Sequence, residues 1–274
     1  MRLSEKPQIK SVSSYFLVLI FLLLPLHVSN QTTSAKEALE SLNSTKTGVF
    51  ARGELAYVSN GKDLGTETYK LIKRESGEIV MISEGVVTPP IPIPFVTPKI
   101  KFNQEITVGN DLAPQSLELN YNGPLGIGSK KIRAIVKDGR IDADLGGEQK
   151  GAKLESIYSY FQGTGGAQAV TSLILAKKED LREIVEIRTG GTGPQSGDKD
   201  RLKAYLVLKR EERRELEING SRKVIEQYVL NDPESKVDKV ILADSGTFIA
   251  YLRQGEENSF YVYRSDLLGK DYQF

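Results

Sequence analysis

The chain has 274 residues, with 37 Lys plus Arg against 36 Asp plus Glu, a formal net charge of +1 and a pI near 7.7. That length accommodates one large β domain or two small ones, and 39% hydrophobic with 27% charged residues excludes a disordered, collagenous or polytopic membrane chain. The near-neutral balance gives no electrostatic reason to bind nucleic acid, and the chain has no Cys, no Trp and one His.

The amino terminus reads as a secretory signal. Arg2, Lys6 and Lys10 form a basic region, an apolar run spans Tyr15 to Val28, and a polar SNQTTSA follows. The run is too short for a membrane span of about 20 residues, and Pro25 interrupts it. An uncleaved amino-terminal anchor is the alternative. Thr33-Ser34-Ala35 places small residues for cleavage after Ala35. Cleavage there removes His27, so the mature chain has neither imidazole nor thiol, which excludes His or Cys metal sites and Ser-His-Asp or Cys-His mechanisms. It also changes the formal charge from +1 to −1. Without Cys, neither disulfides nor acylation of a cysteine can operate. The expected location is periplasmic or secreted.

After a polar lead with a short helix at 36–42, β-branched and aromatic runs alternate with the turn dipeptides Asn60-Gly61, Ser76-Gly77, Asp138-Gly139, Asn219-Gly220 and Ser245-Gly246. Asn-Gly and Asp-Gly accept the positive φ that tight hairpins demand. Ile132, Ala134 and Val136 alternate with Arg133, Ile135 and Lys137, the pattern of a strand with one buried face. Roughly twelve to fifteen strands are expected on this reading. Gly166 to Lys178 breaks the pattern: Ala169, Val170, Leu173 and Ile174 recur at helical spacing and predict one amphipathic helix, with a hairpin through Lys177 to Asp180 as the alternative. A strand follows over 182–188, and the polar, Gly-rich segment 189–200 is a surface loop or a linker. No repeat at a fixed period appears, so a single sheet system over 36–274 is preferred.

Five prolines punctuate residues 85–98, interleaved with Val86, Val87, Ile91, Ile93, Phe95 and Val96. Proline at alternate positions is incompatible with a central strand, so this segment reads as extended chain or an edge. Those six apolar residues are the candidate ligand-binding set, as a rim that meets a hydrophobic ligand; the structural reading is a connection that covers the end of the sheet. Gly123 to Gly128 and Gly163 to Gly166 lack the P-loop pattern and any evident βαβ context, and turn chemistry accounts for them. Lys209 to Glu217 mixes four bases with four acids and reads as a solvated face.

Carboxylates are the remaining acid–base candidates: Asp142 with Asp144, Asp198 with Asp200, and Asp244 with Asp266 or Glu256. Spacing by two puts Asp142 and Asp144 on one face of a strand, yet they stand where solvated acids are ordinary. No Ca²⁺ loop pattern accompanies them. Phe260, Tyr261, Tyr263, Tyr272 and Phe274 form a terminal aromatic group, as core packing or as a ligand wall. Sequons stand at Asn43 and Asn219.

Tyr57 before Asn60-Gly61-Lys62 and Gly65-Thr66-Glu67, the strand Tyr69 to Lys73, Leu112 to Glu118, Asp138-Gly139-Arg140, a helix near Ala167 to Leu175 and the late turn Asp244 to Thr247 together cover about residues 48–265. This arrangement resembles uncharacterised exported bacterial β-rich domains of the lipoprotein-carrier-like superfamily. The resemblance implies a curved antiparallel half-barrel wrapped on a helix, and an apolar ligand; no functional residue carries over. The expectation is therefore a mainly β protein, a large, strongly curved antiparallel sheet or open barrel with one packed helix. Its expected role is non-catalytic binding of a lipid or other hydrophobic ligand, without cofactor, metal or nucleic acid. A structural or protein-interaction module of the envelope is the first alternative and a carboxylate-dependent secreted hydrolase the second.

Overall fold

The computed structural model describes residue 42, residue 44 and residues 46–88, 98–126, 129–156, 158–189, 202–233, 237–254 and 259–274. The first eight strands are β1 (Gly48–Ser59), β2 (Lys62–Lys73), β3 (Ile79–Val87), β4 (Ile100–Val108), β5 (Pro114–Asn122), β6 (Lys130–Lys137), β7 (Arg140–Leu145) and β8 (Gln149–Lys153). After β9 (Ser159–Gln162) comes the helix α1 (Ala167–Lys177). Then follow β10 (Glu183–Arg188), β11 (Lys203–Ile218), β12 (Ser221–Asn231), β13 (Asp238–Asp244), β14 (Thr247–Gln254), β15 (Phe260–Arg264) and the one-turn α2 (Ser265–Leu268). All fifteen strands join one sheet in the order β8-β7-β6-β5-β4-β3-β2-β1-β15-β14-β13-β12-β11-β10-β9. The chain is thus two antiparallel meanders, β1–β8 and β10–β15, joined by the β1–β15 ladder, where Leu55 stands opposite Arg264, with β9 added parallel to β10 at the far edge.

The sheet curves strongly without closing. Lys203 Nζ of β11 donates to the Lys153 carbonyl of β8 at 2.7 Å, and the Tyr205 hydroxyl reaches Glu155 Oε2 at 3.0 Å. These bonds link the β8 margin to a strand near the opposite margin, and no ladder joins β8 to β9. A right-handed strand twist, accumulated over so many strands, rolls an open sheet toward a barrel.

Local chemistry explains the meander. Asn60-Gly61, Asp138-Gly139, Asn219-Gly220 and Ser245-Gly246 all have both residues at positive φ, the type I′ geometry whose twist matches the flanking strands. Ser76-Gly77 differs, lying in the five-residue connection 74–78, where Arg74 N donates to the Glu78 carbonyl at 2.9 Å.

Alternation along the strands separates two cores. The inner one takes Leu55, Tyr57, Tyr69, Leu71, Met81, Phe102, Ile106, Leu117, Ile132, Ile141, Leu206, Leu230 and Ile241 together with α1. The outer one gathers Ala56, Val58, Leu216, Ile218, Ile225, Val240, Leu242, Ile249, Tyr261 and Tyr263 beneath α2 and the terminal Tyr272 and Phe274. Of the aromatic group at the carboxyl end, Tyr261, Tyr263, Tyr272 and Phe274 pack against one another, edge to face with ring centroids 4.9 Å apart for Tyr272 and Phe274 and 5.4 Å for Tyr261 and Phe274. They seal the outer face.

Two expectations are corrected. The helix is present, but every residue from Ala167 to Leu175 is buried, so it is enclosed by the sheet and not amphipathic. Its polar side chains tolerate this because Thr171 and Ser172 turn their hydroxyls onto the carbonyls of Ala167 and Gln168, at 3.2 and 2.8 Å. The glycine stretch before it does stand in a βαβ unit, since β9 and β10 run parallel on either side of α1. Of the expected helix at 36–42, only Leu42 lies among the described residues, buried in the inner core. The mixed-charge run 209–217 falls within β11, with Leu216 directed into the outer core and Lys209, Glu211, Arg213 and Glu217 exposed. Among the described residues no helix is long and apolar enough to cross a membrane.

Candidate functional site

The polar chemistry inside the sheet concentrates where α1 begins. Glu67 of β2 points to the inner face at 1% exposure, beside Tyr57 of β1, Ser83 of β3 and Gln104 of β4. The Tyr57 hydroxyl donates to Glu67 Oε2 and accepts from the Gly165 amide at 2.6 Å. The Gly166 amide donates to Glu67 Oε1 at 3.1 Å, and the Thr164 amide donates to Gln104 Oε1 at 3.2 Å. Thr164 Oγ1 sits 2.5 Å from Glu67 Oε1 and 2.6 Å from Gln104 Oε1. Three sheet side chains thereby meet the free amides at the helix start. Burial pushes the Glu67 carboxyl above the ordinary carboxylate range despite the hydrogen bonds it receives. The Tyr57 phenol rises well above its usual value through burial and the adjacent Glu67.

Close approach, not turn geometry, explains the glycines here. A Cβ on Gly163 would stand 2.0 Å from Gln104 Nε2, on Gly165 2.8 Å from Val262 Cγ1, and on Gly166 2.8 Å from Glu67 Oε1. The same fit settles the phosphate question: the place a phosphate would take at the helix start is filled by the side chain of Glu67. At the other end of α1, the Arg210 guanidinium donates to the carbonyls of Leu175 and Lys178, both at 2.7 Å, while lying over the Tyr228 ring. Side chains from the sheet hold the helix at both ends.

A second buried cluster joins β9, β10 and β13. Glu186, 1% exposed, accepts from Lys239 and from the Tyr160 hydroxyl at 2.6 Å, and Arg188 Nε lies 3.2 Å from it. Arg188 also pairs with Asp232 at 2.5 Å. Burial alone would raise the Glu186 carboxyl, but the Lys239 ammonium and the bonds from Lys239 and Tyr160 outweigh it and hold it below the ordinary range. A third cluster links Arg264, 1% exposed, to Asp266 at 2.7 and 2.6 Å and to the Tyr69 hydroxyl at 2.9 Å, with Gly53 leaving room for the guanidinium.

Among the residues singled out in the sequence, Val86 and Val87 close β3 and pair with Lys101 and Ile100 of β4, so β3 continues as an internal strand into the proline-rich segment. Val87 packs against the inner core, and alternation gives Val86 to the other face. Ile91, Ile93, Phe95 and Val96 lie outside the described residues. Asp142 and Asp144 stand on the outer side of β7, Asp142 exposed and Asp144 accepting from the Gly147 amide at 2.6 Å as a turn cap. Asp244 pairs with Lys223 and Asp266 with Arg264, so they do not form a dyad; Asp198, Asp200 and Glu256 lie outside the described residues. No group of three or more Asp, Glu or His is placed to hold a metal among the described residues.

Sequence reasoning missed Glu67, Gln104, Thr164, Glu186 and Lys239. A signal existed: Glu67 is in phase with Tyr69 and Leu71, Glu186 with Ile184, and Lys239 with Ile241, each a charge on the apolar side of an alternating strand.

No family model and no curated protein matches the sequence. Among solved structures, the chain is similar to a β-barrel-like protein of the domain of unknown function DUF1849 from Brucella abortus, at 9% identity and a TM-score of 0.51 over 79% of this chain and 95% of that one. A DUF1089 family protein from Pseudomonas aeruginosa gives 11% identity and a TM-score of 0.42 over 69% and 89%. The first likeness is one of fold: a β-rich, barrel-like domain.

Proposed function

We propose that the protein is a non-catalytic, exported envelope module that binds a protein partner through the end of its strands at which α1 begins. The observation behind this reading is the occupied interior: the space a curved sheet would offer to a ligand holds α1, buried along Ala167 to Leu175 and held at both ends. Recognition is then left to the surface. Strand direction brings Val87, Ile100, Asn122, Lys130, Arg188, Lys203, Asn231, Asp238 and Phe260 to one end of the sheet, while the opposite end has the two-residue turns 138–139, 219–220 and 245–246. One end of a rigid strand scaffold is a common place for a binding surface.

A second reading is favoured by one feature of that same end. Tyr57, Phe102, Tyr121 and Phe260 form a chain of rings 6.3 to 6.4 Å apart, with partly buried Leu64, Val87 and Ile100 packed beside them. This group supports a lipid or other apolar ligand bound at the rim, in keeping with the resemblance to lipoprotein carriers, each buried methylene contributing about 0.8 kcal/mol.

Native mass spectrometry of protein from an exporting host, followed by a denaturing run and organic extraction, tests both. A bare polypeptide mass that stays bare after incubation with lipid is expected. A photocrosslinking residue at Val86 should then give a discrete protein adduct in the envelope, and one at Ser76, at the opposite end, none. A mass difference that resolves into lipid, weakened by Phe95→Asp, would replace the first reading with the second. Equal adducts from both positions would remove the end-specific surface.

A further inference from the structure

The hydrogen-bond pattern around Thr164 constrains where a proton sits. The Thr164 amide points its hydrogen at one end of the Gln104 amide group, 3.2 Å away, so that end is the oxygen. Thr164 Oγ1 is 2.6 Å from this oxygen and 2.5 Å from Glu67 Oε1, and a hydroxyl has one proton to give. With Glu67 ionised, one of the two approaches would set oxygen lone pairs against each other at contact distance in a dry interior. With Glu67 neutral, both are satisfied: the carboxyl O–H donates to Thr164, and Thr164 donates to Gln104. The other bonds to the carboxyl group are compatible with this: Oε2 accepts from Tyr57, the Ser83 hydroxyl bonds the group from β3, and the protonated oxygen keeps a weaker bond from the Gly166 amide.

We propose that Glu67 is a protonated carboxylic acid in the native protein and that this proton completes a pH-sensitive latch holding the start of α1 inside the sheet, tight in acid and loosened as the pH rises. The surroundings fit. Facing Glu67 from β1 is Tyr57, from its own strand Tyr69 and from β5 Tyr121, all phenols; β3 and β4 contribute the uncharged Ser83 and Gln104. Arg264 of β15 reaches this region only as far as Tyr69 and is bonded to Asp266. No cation is among the groups that bond Glu67. Its burial therefore favours the neutral form on physical grounds as well.

Loss of the proton would place a charge between Tyr57, Thr164 and the helix start while removing the bond that joins Thr164 to Glu67 as acceptor. The segment affected by that change is Gly163 to Gly166, where the Thr164 hydroxyl and the Gly166 amide both bond Glu67. Ionisation thus acts on the docking of α1.

Isotope-edited infrared spectroscopy of the folded protein at neutral pH reads the proton directly. A carbonyl band of a protonated carboxylic acid, absent in Glu67→Gln, is expected. Amide-exchange protection factors of α1, referred to intrinsic rates at each pH, should fall as the pH is raised in the wild type and stay level in E67Q, whose amide resembles the neutral acid. Absence of the band would overturn the proposal. So would a folded E67Q chain whose α1 protection keeps the wild-type pH slope, since the slope would then arise from a group other than Glu67.

Discussion

Two glutamates lie equally deep in this protein and are held in opposite ways. Glu186 is surrounded by Lys239, Arg188 and Tyr160 and stays charged, its carboxyl held below the ordinary range. Glu67 meets hydroxyls, an amide and no cation, and its carboxyl is pushed up. Burial is the same in both places, so the partner decides. A buried carboxylate needs a compensating cation, and a buried carboxylic acid needs only an acceptor for its proton. The two regions also differ in what they join: the Glu186 cluster ties strand to strand across β9, β10 and β13, whereas Glu67 ties the sheet to the helix inside it.

The comparison can be broken most forcefully at Lys239. Lys239→Met leaves Glu186 short of its nearest cation, and removing one partner of a buried pair costs about 3–5 kcal/mol. Chemical denaturation should show that loss, with much of it recovered in the double variant Lys239→Met/Glu186→Gln. Equal stability of the single and double variants would mean that Arg188 alone suffices. On the Glu67 side, Gly166→Ala forces a methyl into the space between Glu67, Ser83 and Met81, and overpacking of this kind costs about 1–3 kcal/mol.

Dependence on pH gives a finer test, because the two groups act with opposite sign. Glu186, with its folded value depressed, contributes stability present above the ordinary carboxylate value near 4.5, and that contribution is lost as the pH falls below it toward the folded value. Glu67, with its folded value raised, contributes fully below the same ordinary value near 4.5, and its contribution is lost as the pH rises from there through the folded value. Stability of wild type relative to E67Q should therefore decline on raising the pH, while that relative to Glu186→Gln should decline on lowering it. Matching slopes would dissolve the contrast.

The smallest effect belongs to a carboxylate with cations but without burial. Glu118 contacts Lys131 at 2.8 Å and Arg133 at 3.0 Å on the exposed outer face, and the bond from Lys131 and then that from Asn120 hold its carboxyl down to about 2. Glu118→Gln should cost only about 0.2–1 kcal/mol, reduced further by salt. An NMR titration should place the Glu118 midpoint far below that of a free glutamate.

Much of the fold was legible. Turn pairs such as Asp138-Gly139 and Asn219-Gly220 mark their hairpins because few residues accept two successive positive φ angles, and alternation in β6 marks its buried face. The helix was legible in place but not in environment. Its polar residues Thr171 and Ser172 hydrogen-bond their own backbone, so their polarity does not report exposure. The Gly163 to Gly166 stretch looked like turn chemistry because a requirement for close approach and a requirement for positive φ select the same residue. Glu67, at 99 positions from the amide of Gly166, had no local partner to announce it.

By itself the sequence determined the class of structure and its punctuation, since strand alternation, hairpin turns and the absence of Cys are local or compositional properties. Only the tertiary structure decided which inward positions could carry charge, because that depends on whether a cation or a proton acceptor arrives from a distant strand. It also decided that the interior belongs to α1: the curvature that creates the space and the helix that fills it are set by separate segments and meet only when the sheet has rolled.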